Sequence, residues 1–144
     1  MNQIKDEYRD AMKERIGRAM GIMLLLTGSA HFLFPKNLDA IVPSFLPGDA
    51  RLWTHISGVA ELAVAVGLLA PIDMKVGGIR VRLIAAQSAF LLFLAVYPAN
   101  IKMAIDWSDR AMPAPLIAFA RLPLQFGLFY WAASIAKSVK KVKP

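Results

Sequence analysis

Five polar side chains stand inside runs that are otherwise apolar. They are His31 in "GSAHFLFP", Glu61 in "SGVAELAV", Asn100 in "YPANIK", and Arg121 and Gln125 in "ARLPLQ". An imidazole, a carboxylate, a guanidinium and two amides can together hold a proton, pair charges and donate to a carbonyl oxygen. Glu61 is the only acid deep in these runs and Arg121 the only strong base. Either one alone in a low dielectric carries a heavy penalty, so the two are expected to pair. His31 and Asn100 are then expected to fill the remaining positions on the carboxylate and the guanidinium. Arg121 and Gln125 are four apart, as are Ser57 and Glu61, so each couple shares a helix face.

The elements that must position these groups follow from composition. The chain has 144 residues, 57% of them hydrophobic and 19% charged, with a mean hydropathy of +0.49. That is too little polar surface for a soluble domain of this length. Leu83 to Ile101 and Leu122 to Ala136 carry no charge. Ala19 to Pro35 has only His31 as an ionisable group, and Leu52 to Ile72 has only His55 and Glu61. Such runs can cross a hydrocarbon core about 30 Å thick, for which roughly 20 helical residues suffice. They predict an all-α, four-helix transmembrane bundle forming one domain over 1–144. The spans fall near 16–34, 51–71, 79–104 and 114–136.

The first eighteen residues hold nine charges of both signs, unlike a cleaved leader. They predict a short N-terminal interfacial helix. Its Lys5, Arg9 and Lys13 recur at helical spacing, on lipid headgroups or on a solvated face. Lys and Arg number twelve across the N-terminal segment, the second connection and the tail, against four in the other two connections. The positive-inside rule then puts both termini in the cytoplasm of a bacterial-type cytoplasmic membrane. The formal charge of +7 is a topology signal, with the tail resting on anionic lipid. No nucleic-acid motif accompanies it.

In that topology the five side chains share a depth. At about 1.5 Å per helical residue, all fall between the membrane centre and its outer edge. One polar cluster in the outer half is the economical arrangement, because polar groups in hydrocarbon face a bundle interior or a cavity. Pro98 and Pro123 lack an N–H and free the carbonyls of Leu94 and Phe119, bending backbone around a pocket. The chain has no cysteine, which removes thiol and disulfide chemistry. Two histidines without a denser ligand set predict no metal site and no intrinsic cofactor. His55 lies on a different face from Glu61 and points to headgroups. Trp53, Trp107 and Trp131 are read as interfacial anchors. Gly58, Ala65 and Gly67 predict close helix packing.

The motifs "GSAHFLFP", "ISGVAELAVAVGLLAP", "YPANIKMA" and "RLPLQFGLFYWA", in this order, resemble the DoxX-like membrane proteins. That neighbourhood includes DoxX/DoxD, MauE and NACHO. The resemblance runs from about Gly17 to Trp131 and implies a four-helix membrane bundle. It singles out His31, Pro43, Gly58, Glu61, Pro98, Asn100, Arg121, Pro123 and Gln125. DoxD-type proteins are linked to thiosulfate oxidation with quinone as acceptor, MauE to maturation of a periplasmic dehydrogenase, and NACHO to receptor assembly. Some MauE-like relatives are thiol-redox proteins, and the absence of cysteine separates this chain from them.

Two classes of function stand at this point. In the first, the chain is the membrane subunit of a quinone-linked redox system. A bound quinone then meets Arg121, Gln125 or Asn100 at a carbonyl oxygen, His31 or Glu61 handles protons, and another subunit supplies electrons. In the second, the chain is a non-catalytic assembly factor or chaperone for a client membrane protein. Its polar cluster then docks a partner helix, or is structural: Glu61 and Arg121 fix helix register and His31 satisfies a backbone carbonyl.

Overall fold

The computed structural model describes residues 2–140. Of the basic tail, Lys141 and Lys143 lie outside the described residues. In chain order the elements are α1 (Asn2–Leu33), α2 (Pro35–Asp39), α3 (Ala50–Leu69), β1 (Lys75–Val76), β2 (Ile79–Arg80), α4 (Val81–Asp106) and α5 (Ala114–Lys140). Four of the helices are long and apolar enough to cross a membrane, namely Glu7–Leu33, Ala50–Leu69, Val81–Asp106 and Ala114–Lys140. Their outward faces carry exposed Leu26, Val66, Leu91, Leu124 and Tyr130. A lipid solvent covers such side chains at no cost. The chain is an all-α membrane bundle apart from one small hairpin.

Helix α1 corrects one expectation. The charged N-terminal stretch is not a separate interfacial helix but the first turns of the same 32-residue helix. No glycine or proline interrupts residues 2–16, and Glu14 and Arg18 pair across one turn at 2.9 Å. A helix of that length is about 48 Å long, well beyond a hydrocarbon core of about 30 Å. Its charged turns therefore stand out past the core. The hairpin is a second addition: Lys75 pairs with Arg80 and Val76 with Ile79. Its turn residues Gly77 and Gly78 sit at φ +59° and +80°, where a side chain is strained.

The bundle has two ends. At the basal end, Arg82 of α4 reaches Glu14 of α1, Arg80 donates to the Val139 carbonyl of α5, and Trp131 donates to the Ile16 carbonyl. At the apical end lie α2, the 40–49 loop and the outer turns of α3, α4 and α5. Helix α1 packs chiefly on α3 and α4 chiefly on α5, which makes two antiparallel hairpins. Their dry core fills the basal half, around Met20, Leu24, Leu68, Ala86 and Ile135. A smaller cluster of Met103, Ala104 and Ala118, with Ile41 and Trp107 against it, closes the apical end.

Small residues set the helix spacing, as expected for Gly58, Ala65 and Gly67. A Cβ on Gly58 would stand 2.7 Å from the His31 Cβ and 2.8 Å from the Phe32 ring. A Cβ on Gly67 would stand 2.7 Å from the Ala85 Cβ. The first contact draws α1 and α3 together beside His31. The second draws α3 and α4 together near the basal end.

Candidate functional site

Between the basal core and the apical cluster lies a cavity of about 500 Å³. His31, Glu61, Asn100 and Arg121 reach it from four different helices. The remaining wall is mostly apolar, with Ile56 and Ala60 on α3, Leu92 and Val96 on α4, and Val42 and Leu46 in the loop above. Four of the five expected side chains thus meet at one place. Gln125 is buried behind the wall and does not line the cavity.

The polar groups form two separate chains. On the first side, the Thr54 backbone carbonyl lies 2.8 Å from His31 Nδ1. A carbonyl only accepts, so Nδ1 carries a hydrogen. His31 Nε2 lies 3.1 Å from Glu61 Oε1. One proton must sit on that axis: either an imidazolium faces a carboxylate, or a neutral ring faces a carboxylic acid. The Thr27 hydroxyl donates to Glu61 Oε2 at 2.5 Å. Gly28 allows this approach, since a Cβ there would lie 3.0 Å from the Glu61 Cβ.

On the second side, Arg121 Nε donates to Asn100 Oδ1 at 3.1 Å. Asn100 Nδ2 then donates to Gln125 Oε1 at 3.1 Å, and Gln125 Nε2 to the Phe93 carbonyl at 2.5 Å. Each amide orientation dictates the next. The final acceptor lies one residue before Leu94, whose carbonyl loses its helical partner to Pro98. Asn100 and Gln125 are buried, whereas Arg121 remains exposed. The expected Glu61–Arg121 ion pair does not form. Glu61 spends its oxygens on His31 and Thr27, and Arg121 turns to Asn100. Depth along a helix brought both groups to the cavity, but their azimuths differ.

The apical loop is held by a network absent from the sequence expectations. Asp39 accepts from Arg51 Nε at 2.9 Å and from the Thr54 hydroxyl at 2.7 Å. Asp49 caps α3 by accepting from the Arg51 backbone N–H at 3.1 Å. Trp53 donates to the Pro47 carbonyl at 2.7 Å and lines the cavity. His55 stacks on Phe32 with centroids 5.3 Å apart, away from Glu61. Thr54 links the two networks: its hydroxyl serves Asp39 and its carbonyl orients His31.

The Arg51 hydrogen bond, helped by that of Thr54, holds the Asp39 carboxyl below its ordinary range. A carboxyl with a lowered folded-state pKa stabilises the fold above its unfolded value, near pH 4, and loses that contribution as pH falls through the folded value. Asp39→Asn should therefore be less stable than wild type at neutral pH, with the gap closing as the solution is acidified below about pH 4. Thermal unfolding of both proteins across that range measures it, and a gap independent of pH would contradict the assignment.

Arg82 follows Lys75 and Arg80 and reads in sequence as one of the basic residues of the second connection. It is fully buried. Its guanidinium meets Glu14 at 2.5 and 3.2 Å and donates to the Ala70 carbonyl at the end of α3. Gly17 lies against it. A signal for this was present: Arg82 shares a helix face with Ala85, Ala86, Ala89 and Phe93, all buried. Among the described residues, no three His, Cys, Asp or Glu gather as metal ligands would.

No curated protein and no solved structure matches the chain. A family model does match, over residues 20–136, and so takes in both polar chains and the cavity between them. The chain belongs to the family described as domain of unknown function DUF8561.

Proposed function

We propose that this chain is the quinone-binding membrane subunit of a redox system. It lies in a bacterial-type cytoplasmic membrane with its basal end in the cytoplasm. One observation carries the reading: a cavity of about 500 Å³ has an exposed guanidinium on one wall and a proton-holding His–Glu pair on another. Its volume lies in the range of small-molecule sites, about 300–1,000 Å³. A bound quinone supplies two-electron, two-proton chemistry. Arg121 donates to a carbonyl oxygen of the head, oriented by Asn100. His31 and Glu61 hold the proton nearest the site, and Leu92 and Val96 exclude water. Electrons come from a partner redox subunit. The DoxX-like motifs support the same reading.

Titration of detergent-purified protein with a short-chain quinone analogue should give saturable binding. Arg121→Gln should weaken it by about tenfold or more, because a charge-assisted hydrogen bond contributes about 1.5–3 kcal/mol. An absence of saturable binding in wild type would sink the reading.

One observation favours a second reading, that of a non-catalytic assembly factor. Asn100 and Gln125 are bonded to each other, to Arg121 and to the Phe93 carbonyl, as structural groups would be. In that case no quinone binds, and a client protein co-purifies from native membranes.

The proposed sidedness rests on the basal gathering of basic segments. Reporter fusions after Leu46 and after Lys143 should report periplasmic and cytoplasmic locations respectively. A cytoplasmic signal at Leu46 would invert the assignment.

A further inference from the structure

Helices α3 and α4 touch closely at Gly67 and Ala85 and then diverge toward the apical end, where the cavity lies between them. The cavity rim on this seam is formed by Ile56 of α3 and by Ala95 and Pro98 of α4, all lining the cavity and all exposed. Ile56 lies six residues into its span and Ala95 eleven residues before the end of its own. At about 1.5 Å per residue these are depths of roughly 9 and 16 Å along the helices. The opening therefore falls within hydrocarbon. The apical side is different. Ile41, Val42 and Leu46 are half-buried over the cavity and Pro43 is buried, giving an apolar roof. Lys102, donating to the Ala40 carbonyl, and the Asp39–Arg51 pair tie down its two ends.

We infer that the cavity takes a membrane-dissolved, single-chain amphiphile. It slides in sideways between α3 and α4 with its head toward Arg121 and the His31–Glu61 pair, and its apolar chain trails out past Ile56 and Ala95. This inference rests on the ligand-binding reading above and adds the class of molecule and its route. The chemistry of the parts fits. A head with one or two hydrogen-bond acceptors suits the guanidinium. A chain of plain hydrocarbon suits the seam, which has no charged residue on either rim. A water-soluble molecule would have to cross the roof, or leave water for lipid before reaching the rim.

The test uses the full chain in lipid nanodiscs and a probe with a quinone head, a ten-carbon chain and a photoreactive diazirine near the chain end. Irradiation followed by peptide mapping should place the label on α3 and α4 around Ile56 and Ala95. Excess short-chain quinone should abolish that label, because head and chain belong to one bound molecule. Ala95→Trp, which fills the rim, should cause loss of the label. Label confined to the 41–46 roof would overturn the lateral route. So would saturable binding of the short-chain analogue with no competable label on the seam. If the short-chain analogue does not bind at all, the quinone reading fails. Competition of the same label by a chain with a different acceptor head would then keep the lateral route.

Discussion

Glu14→Gln lowers the unfolding free energy by about 3–5 kcal/mol, the usual cost of leaving a buried charge without its partner. The partner is Arg82, which has no exposed surface, meets Glu14 with both terminal nitrogens and has only the neutral Ala70 carbonyl besides. Its Nε already lacks a hydrogen-bond acceptor. The reverse change is expected to be milder. In Arg82→Met the orphaned carboxylate is Glu14, whose side chain is 23% exposed and already holds Arg18. It can turn to water. The double variant Glu14→Gln/Arg82→Met should recover most of the loss, because a well-packed apolar side chain replaces a buried ion at little net cost. Unfolding of the four proteins in one detergent measures the cycle. Wild-type stability in Glu14→Gln would show that the pair is not buried in the membrane-embedded protein.

His31→Phe is expected to cost about 3 kcal/mol where Glu61 stays ionised, since it strips one carboxylate oxygen of its partner. It also removes the second hydrogen bond on the Thr54 carbonyl, which keeps its place in the α3 helical ladder. Glu61→Gln should cost less than about 1 kcal/mol. The amide oxygen still accepts from Thr27, and the amide nitrogen can donate to a neutral His31. That variant keeps the fold and removes the shared proton, which separates a structural role from a chemical one. The coupling between His31→Phe and Glu61→Gln should be at least about 1 kcal/mol, while Glu61→Gln and Arg121→Gln should add within about 0.5 kcal/mol. Strong coupling between Glu61 and Arg121 would restore the ion pair expected from sequence and contradict the arrangement found here.

The difference between those two cycles shows where the sequence could be read and where it could not. Spans near 51–71, 79–104 and 114–136 are visible in the sequence as long apolar runs with few charges. They became Ala50–Leu69, Val81–Asp106 and Ala114–Lys140. Run length is a one-dimensional property, and so is depth, which is why His31, Glu61, Asn100 and Arg121 were placed together. Partner choice needs the rotation of each helix about its axis. Glu61 turns toward α1, through contacts that Gly28 and Gly58 permit, while Arg121 turns toward α4. Nothing in the spacing of two distant residues fixes that. Arg82 was missed for a related reason. It borders a charged loop, and charge outweighed the buried alanine face that follows it. The Asp39–Arg51–Thr54 network was out of reach because it depends on how the 40–49 loop folds back.

Gly67 and Ala85 meet so closely that α3 and α4 behave there as two arms on a pivot. Residue 56 lies eleven positions along α3 from that pivot, an arm of about 16 Å. The cavity is therefore the far end of a lever. Its width depends on the angle at which α3 and α4 leave that contact as well as on the side chains that line it. A displacement of a few tenths of an ångström one turn above the pivot grows about threefold at the rim, in proportion to distance along the arm. A substitution that spreads the Gly67–Ala85 contact should therefore change the width of the apical cleft without touching a residue of its wall, as far as the Asp39–Arg51 and Lys102–Ala40 tethers allow.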